Sequence, residues 1–405
     1  MVSKVKVIGP LGWCAEEFRA ELRALGYTSG SAELQMGLVD RLSRWLDGEG
    51  LALSVLDEQV VGHFLAVREW DRRHVPTLRT FVPLLGWLRA QGLVAGASLP
   101  VLSPLDELVG RYRGWLERTV GLSERTIGRY VATSRRFLAE RVGVSGGPCG
   151  VDGLTGGDVT RFLLGERSRG LSVGSMKGRA GELCSLLRFL YSDGTLEADL
   201  SASVPSVAGW RDSEIAPTLS SAMVQALLDS CDRSSLTGLR DFAILVVLAR
   251  LGLRAGEVAG LGLDDIDWRA GEITIRAGKA HRQDRLPLPS DVGEALAGYL
   301  TNSRGQGPAA TCRNLFVTRH APIRPLHANT VSRVVLMACR RAGVPEVRAH
   351  RLRHALGAEL GRQGADLAAI GQVLRHRDVA TTGRYAKVAF ESLRAVAQPW
   401  PGAER

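Results

Sequence analysis

The sequence predicts a mainly α protein, with two helical N-terminal modules followed by an α-rich C-terminal domain that carries one small three-stranded antiparallel sheet. Three observations support this expectation. Apolar residues recur at helical spacing through most of the 405 residues. Between residues 266 and 288, three short runs rich in β-branched and alternating residues replace that spacing. Proline-bearing stretches near Pro100 and over 205–218 divide the chain.

The first module covers residues 1–100 and the second covers residues 104–204. Helices are expected in the first over 31–46, 57–70 and 78–91, and in the second over 105–119, 123–142, 155–167 and 172–191. The run Val60–Ala66 parallels Asp158–Leu164, so the first module is interpreted as a duplicate of the second. A chance likeness between amphipathic helices is the alternative.

A linker over residues 205–218 leads to a third domain, 219–390, and a tail, 391–405. Helices of this domain are expected over 220–231, 236–251, 255–261, 290–303, 327–342, 350–363, 367–374 and 379–388. Its strands are expected over 266–268, 272–276 and 285–288, with glycine turns between them.

The composition restricts the class of protein and its partners. A hydrophobic content of 45% with 23% charged residues is typical of a globular protein. The net charge of +10 favours an anionic partner, most often nucleic acid. Six scattered cysteines without a CxxC pair argue against structural zinc and disulfides. We find no signal peptide, and the most apolar run, 242–253, is too short to span a bilayer, so a cytoplasmic location is expected.

A dispersed set of basic residues and one late tyrosine has the composition needed to break a phosphodiester. Such chemistry without metal needs fixed positive charge, a nucleophile and an acid for the leaving oxygen. Arginine holds phosphate in a two-pronged contact, and lysine can release a proton. The candidate catalytic residues are Arg254, Lys279, His350, Arg353, His376 and Tyr385. Glu257, one helical turn after Arg254, is expected to orient its guanidinium.

The pair His350 and His354 has the spacing of a zinc-binding helix, so a metal site is the alternative for this cluster. The residue after His350 is Arg351 and not a glutamate, and Arg353 adds further positive charge. Because these charges repel a cation and attract a phosphate, we expect no metal at this cluster.

Four motifs, in this order along the chain, resemble those of the tyrosine recombinase (phage integrase) family. They are Gly252-Leu253-Arg254-Ala255-Gly256-Glu257, Gly278-Lys279 before Arg285-Leu286-Pro287, His350-Arg351-Leu352-Arg353-His354, and Leu374-Arg375-His376 leading to Tyr385. The resemblance is specific over 219–390. It is moderate over 105–200, which is similar to the family's core-binding, SAM-like helical domain, and weak over 1–100.

The resemblance implies a role for each of these residues. Tyr385 would attack the scissile phosphate and form a 3′-phosphotyrosyl link, while Lys279 protonates the leaving 5′-oxygen. Arg254 and Arg353 would hold the non-bridging oxygens. His350 would assist proton transfer, and His376 would donate to the phosphate. Glu257 would contact these residues and not the DNA. The resemblance also implies that no metal and no other cofactor is needed, because the covalent bond to the tyrosine stores the energy for rejoining.

The resemblance also implies a partner, double-stranded DNA, and a homo-tetramer, alone or with related recombinases, acting on two sites. The expected activity is site-specific DNA recombination of the integrase or transposon type. The protein is expected in the cytoplasm, and at the nucleoid when it is bound to DNA. Alternatives are relaxation of the type IB topoisomerase kind and a non-catalytic architectural role. The first module would be an arm-binding or a duplicated core-binding domain. The candidate DNA contacts are Arg125, Arg129, Arg135, Lys177, Arg179, Arg282, Arg351, Arg375 and Arg377. The family usually has small residues at positions 375 and 377.

Overall fold

The computed structural model describes residues 4–68, 70, 75–94, 102–144, 147–208, 219–276, 283–305 and 312–375. These residues form fifteen α-helices and one three-stranded sheet. The predicted fold class, mainly α with a small antiparallel sheet, is therefore confirmed. The chain divides into two compact units, one made of Met1–Ala97 with Glu214–Arg405 and the other of Ser98–Ser213. The finer domain boundaries stay a prediction.

The N-terminal module has four helices around its own apolar core. They are α1 (Ala15–Ala24), α2 (Ser29–Gly48), α3 (Glu58–Val67) and α4 (Leu78–Ala90). Helix α1 is absent from the sequence-based prediction. The reason is Arg19, a charged residue that lies 2% exposed on the buried face and breaks the apolar pattern. Its Nε donates to Glu33 at 2.8 Å, and its Nη2 donates to the Val5 carbonyl at 2.6 Å.

The second unit also contains four helices around one core. They are α5 (Pro104–Arg118), α6 (Glu124–Val142), α7 (Gly156–Ser168) and α8 (Val173–Ser192). The start of α7 is set by Asp158, whose carboxylate accepts the Thr155 backbone N–H at 2.9 Å. All four helices lie within a residue or so of their predicted bounds.

The C-terminal domain is built from seven described helices and the sheet. The helices are α9 (Ser221–Asp229), α10 (Leu236–Leu251), α11 (Ala255–Gly260), α12 (Ser290–Asn302), α13 (Ala328–Ala342), α14 (His350–Arg362) and α15 (Leu367–Val373). The strands are β1 (Ile266–Asp267), β2 (Glu272–Arg276) and β3 (Gln283–Pro287), paired antiparallel in that order. The helix predicted over 379–388 lies outside the described residues.

Helix α10 is the centre of this domain. Every residue from Ala243 to Ala249 is buried, because α9, α11, α12, α13 and α14 all pack around it. In the sheet, Ile273 and Ile275 of β2 point into the same core, and Ile275 pairs with Asp284 of β3. The domain thereby places the end of α10, the start of α14 and the edge of the sheet near one another.

Among the residues that the structure describes, no helix combines the length and apolar content needed to cross a lipid bilayer.

Candidate active site

The loop between α10 and α11 carries Arg254 and is built around a left-handed glycine. Gly252 ends α10 at φ 56° and ψ 31°, a conformation that favours glycine because it lacks a Cβ. Arg254 then precedes α11, and its backbone N–H donates to Glu257 Oε2 at 2.8 Å. Arg254 Nη1 also donates to Glu257 Oε1 at 2.7 Å. Glu257 thus holds the guanidinium from one side, while 48% of the Arg254 side chain remains exposed.

Helix α14 contributes Arg353, whose side chain is only 1% exposed. Its Nη1 donates to the Gly252 carbonyl at 2.6 Å, and its Nη2 donates to the Leu374 carbonyl. Arg353 therefore joins α14 to the loop before Arg254 and to the end of α15. Both terminal nitrogens contact main-chain oxygens in this conformation, and the contact of Arg353 with a phosphate stays a prediction.

His350 is the first residue of α14 and is exposed. Its ring meets the ring of His354 edge-on, with centroids 4.3 Å apart and planes at 74°. Arg351 is partly exposed on the same turn. Within the described ranges, no group of three or more His, Cys, Asp or Glu side chains is arranged to hold a metal ion.

Arg375 follows α15 and directly precedes His376 in the chain. Its φ is 52°, the one positive value among the described non-glycine residues. The side chain is 8% exposed, and its Nη2 donates to Glu257 Oε2 at 2.8 Å. Its Nε lies 3.9 Å from Asp284 Oδ2 on β3. The structure places the side chain of Arg375 between Glu257 and Asp284, largely out of solvent, and the expected DNA contact of Arg375 stays a prediction.

Glu257 is the anion shared by Arg254 and Arg375. Burial by itself raises the pKa of this carboxyl. The Arg254 backbone N–H, the Arg375 charge and the Arg254 guanidinium more than offset that effect, so the pKa of Glu257 lies below its ordinary value. Glu257 is therefore ionised at neutral pH and keeps both cations in place.

The lowered pKa makes part of the stability of the domain pH-dependent. Because the folded pKa is below the unfolded one, about 4.3 for glutamate, the contribution of Glu257 is present above that pH and is lost as the pH falls through the folded pKa. We expect Glu257→Gln to lower the free energy of unfolding by about 2 kcal/mol at pH 7. The difference from wild type should shrink towards pH 3, as measured by urea unfolding at each pH. A difference that is constant with pH would contradict this assignment.

Three predicted catalytic residues, Lys279, His376 and Tyr385, lie outside the described residues, as do the candidate DNA contacts Arg282 and Arg377. The described residues closest in sequence to Lys279 are Arg276, at the end of β2, and Gln283, at the start of β3. The structure thus brings together Arg254, Glu257 and Arg353 from the predicted set.

The remaining candidate DNA contacts lie in the second unit. Arg125 and Lys177 are exposed, and within the described ranges Arg125 forms no ion pair. Arg135 is paired with Asp106. Arg129 Nε lies 2.6 Å from Glu182, and Arg179 lies 2.9 Å from the same carboxylate.

Sequence reasoning missed the two buried glutamates that hold these arginines. Glu166 is fully buried, accepts hydrogen bonds from Arg136 and from Arg169 at 2.7 Å, and forms an ion pair with Arg179 at 3.3 Å. Glu182 is 2% exposed. A glutamate on the apolar face of a helix, with arginines on the neighbouring helices, is the signal that could have located them.

The fold and these contacts define a mainly helical protein whose site carries arginines and histidines and touches the small sheet through Asp284. Comparison with known proteins gives the family. Residues 217–392 match the phage integrase family. The chain is 37% identical over 402 residues to the "Putative integrase/recombinase y4rA" of Sinorhizobium fredii, covering 97% of this chain and 95% of that one. The "Tyrosine recombinase XerD" of Listeria monocytogenes is 28% identical over 72% of this chain and 97% of its own.

A solved structure has the same fold. The lambda integrase tetramer bound to a Holliday junction superposes with a TM-score of 0.51 at 17% sequence identity, covering 76% of this chain and 88% of that one. The chain belongs to the phage integrase family, as its four motifs predict. The alignment with the Sinorhizobium protein extends over nearly the whole chain, so the similarity is not confined to the C-terminal domain.

Proposed function

We propose that this protein is a site-specific DNA recombinase that cuts and rejoins strands through a 3′-phosphotyrosyl intermediate on Tyr385. The observation that supports it most is that Glu257 holds the Arg254 guanidinium, while Arg353 binds the Gly252 carbonyl in the same loop. Arg353 donates to the Leu374 carbonyl, two residues before His376. This hydrogen bond fixes the main chain of the described site immediately before the segment that carries the remaining histidine and the tyrosine in the sequence.

In this mechanism the Tyr385 oxygen attacks phosphorus, and the bond from phosphorus to the 5′-oxygen breaks. The tyrosine proton leaves with the help of His350, and Lys279 supplies a proton to the 5′-oxygen. Arg254, together with Arg353 and His376, stabilises the negative charge on the non-bridging oxygens. Attack by a 5′-hydroxyl on the phosphotyrosine reverses these steps, so rejoining needs no external energy source.

We propose a tetramer on two duplexes as the active assembly, because strand exchange needs one nucleophile for each of four strands. Lambda integrase, which shares the fold, is a tetramer on a Holliday junction in its solved structure. The protein would act in the cytoplasm, at the nucleoid, in integration or transposition of a mobile element. The first module would bind arm-type DNA or duplicate the core-binding domain.

The test uses suicide DNA substrates that carry candidate element ends with a nick near the cleavage site. Cleavage releases a short fragment that carries the free 5′-hydroxyl, and this fragment diffuses away, so the covalent adduct accumulates. We expect an adduct whose peptide, after proteolysis and mass spectrometry, carries the nucleotide on Tyr385. An adduct on another residue would overturn the proposal. Relaxation of supercoiled DNA without dependence on paired sites would indicate the topoisomerase alternative, and specific binding without any adduct would indicate an architectural role.

The contacts in the second unit support a division of its arginines into proposed DNA contacts and structural residues. For Arg125→Ala we expect weaker DNA binding, with the slope of log affinity against log salt reduced in magnitude by about 0.9, and an unchanged fold.

For Arg179→Ala we expect the free energy of unfolding to fall by about 2 kcal/mol, because both buried glutamates lose a partner. Fluorescence anisotropy at several salt concentrations and urea unfolding measure the two effects. Equal stability of Arg179→Ala and wild type would refute the structural assignment.

A further inference from the structure

Four side chains of alternating charge form a continuous row through the site. The row runs from Arg254 to Glu257, then to Arg375, and ends at Asp284. Arg254 lies 2.7 Å from Glu257, Glu257 lies 2.8 Å from Arg375, and Arg375 lies 3.9 Å from Asp284. The members come from α11 and the residue before it, from the second residue after α15, and from β3. Arg375 is the cation that connects the other two elements.

The backbone at Arg375 makes this placement informative. A φ of 52° is strained for any residue with a Cβ and is the conformation where glycine is favoured. The bend alone is therefore served better by glycine than by arginine. A strained residue that persists indicates that its side chain is held by the surrounding structure. Here the side chain is 8% exposed and ion-paired, so its contacts supply the stabilisation that offsets the strained backbone.

The two ends of the row correspond to two different tasks in the proposed reaction. Glu257 also holds Arg254 through both the backbone N–H and the guanidinium. Asp284 lies two residues after Arg282, on the strand that follows the connection carrying Lys279. Loss of Arg375 leaves Glu257 paired with Arg254 and removes the ion pair between β3 and the residues that follow α15.

We propose that Arg375 is a positioning residue that aligns Arg254 through Glu257, and the base of the Lys279 connection through Asp284, with the segment that enters His376. This inference rests on the proposed strand-cleaving function. It replaces the expected role of Arg375 as a DNA-backbone contact, because the cation is neutralised inside the protein.

The experiment compares single-turnover cleavage of a suicide substrate by wild type, Arg375→Gly and Arg375→Lys, with DNA affinity measured on the same substrate. Arg375→Gly relieves the backbone and removes the cation, so we expect cleavage to slow by about 10- to 100-fold at unchanged DNA affinity. Arg375→Lys keeps a cation within reach of Glu257 and should recover most of the rate. Arg313→Ala, which removes an exposed ion pair with Asp264, is the matched control and should cleave like wild type.

A double variant tests whether Arg375 acts through Glu257. If it does, Glu257→Gln combined with Arg375→Gly should be slower than Glu257→Gln alone only by the part of the effect that passes through Asp284, because both changes break the ion pair between Glu257 and Arg375. Losses that multiply in full would contradict the route through Glu257. A substrate with sulfur in place of the 5′-bridging oxygen then separates the two arms, since a thiolate leaves without a proton. A defect of Arg375→Gly that disappears on this substrate assigns the effect to the Lys279 arm, and a defect that persists assigns it to Arg254.

Two results would overturn the inference. One is cleavage by Arg375→Gly at the wild-type rate. The other is a loss of rate matched by an equal loss of DNA affinity, which would make Arg375 a DNA contact. Failure of the proposed function is distinguishable, because in that case wild type itself forms no covalent adduct.

Discussion

Replacement of Tyr385 by phenylalanine is expected to abolish the covalent adduct and strand exchange. The change removes one hydroxyl oxygen, the atom that would bond to phosphorus, and leaves the ring. Without a nucleophile, the positive charges of the site can still bind DNA but cannot form the intermediate. The expected loss of cleavage rate is on the order of 10⁴-fold or more. Single-turnover cleavage assays resolved on gels measure this loss. DNA affinity should remain near that of wild type.

Tyr191→Phe is the matched control for this prediction. Tyr191 lies in the second unit with 49% of the residue exposed, so loss of its hydroxyl should alter neither cleavage nor binding. A Tyr385→Phe protein that still forms an adduct would place the nucleophile elsewhere. Reduced binding by Tyr385→Phe would instead show that the hydroxyl contributes to DNA affinity.

Gly252→Ala is expected to have the largest effect on stability. A Cβ at this position would lie 2.8 Å from Leu374 Cδ2 and 3.0 Å from Leu356 Cδ2, and Leu374 is fully buried. The left-handed backbone adds strain for any residue with a Cβ. Together, strain and overpacking should lower the free energy of unfolding by about 2–4 kcal/mol. Urea unfolding monitored by circular dichroism measures this change.

The same substitution should slow cleavage, because the Gly252 carbonyl accepts from Arg353 and the loop carries Arg254. Gly298→Ala is the control, since Gly298 lies inside α12 with open space around it. There the added methyl group should leave stability unchanged or raise it by up to about 1 kcal/mol. Equal effects of the two substitutions would mean that neither the left-handed backbone nor the leucine contacts matter.

Most helices could be located from residue spacing because their apolar faces pack on large cores, so periodicity and burial agree. Helix α1 was missed because Arg19 lies on its buried face, and its partner Glu33 is on the next helix. Strand β3 begins two residues earlier than predicted, at Gln283. Its early residues pair with β2 although they are polar, and main-chain hydrogen bonds leave no trace in the side-chain pattern.

The candidate site shows the same division. The motifs around Arg254, Lys279, His350 with Arg353, and His376 with Tyr385 are local, and their identity and order along the chain predict the family. The pairing of Arg375 with Glu257, of Glu166 with Arg136 and of Glu182 with Arg129 depends on residues that are distant in sequence.

Residue order and spacing along the chain established the helices, the small sheet and the set of reactive side chains, because each depends on neighbours within a few positions. Which charges are buried, and which cation faces which carboxylate, emerged only from the folded chain. Glu257 and Arg375 are 118 positions apart, and their pairing depends on the left-handed turn at Arg375 and on the packing of α11 against its neighbours. Burial turns an arginine that would be an ordinary surface charge into one that holds the site together.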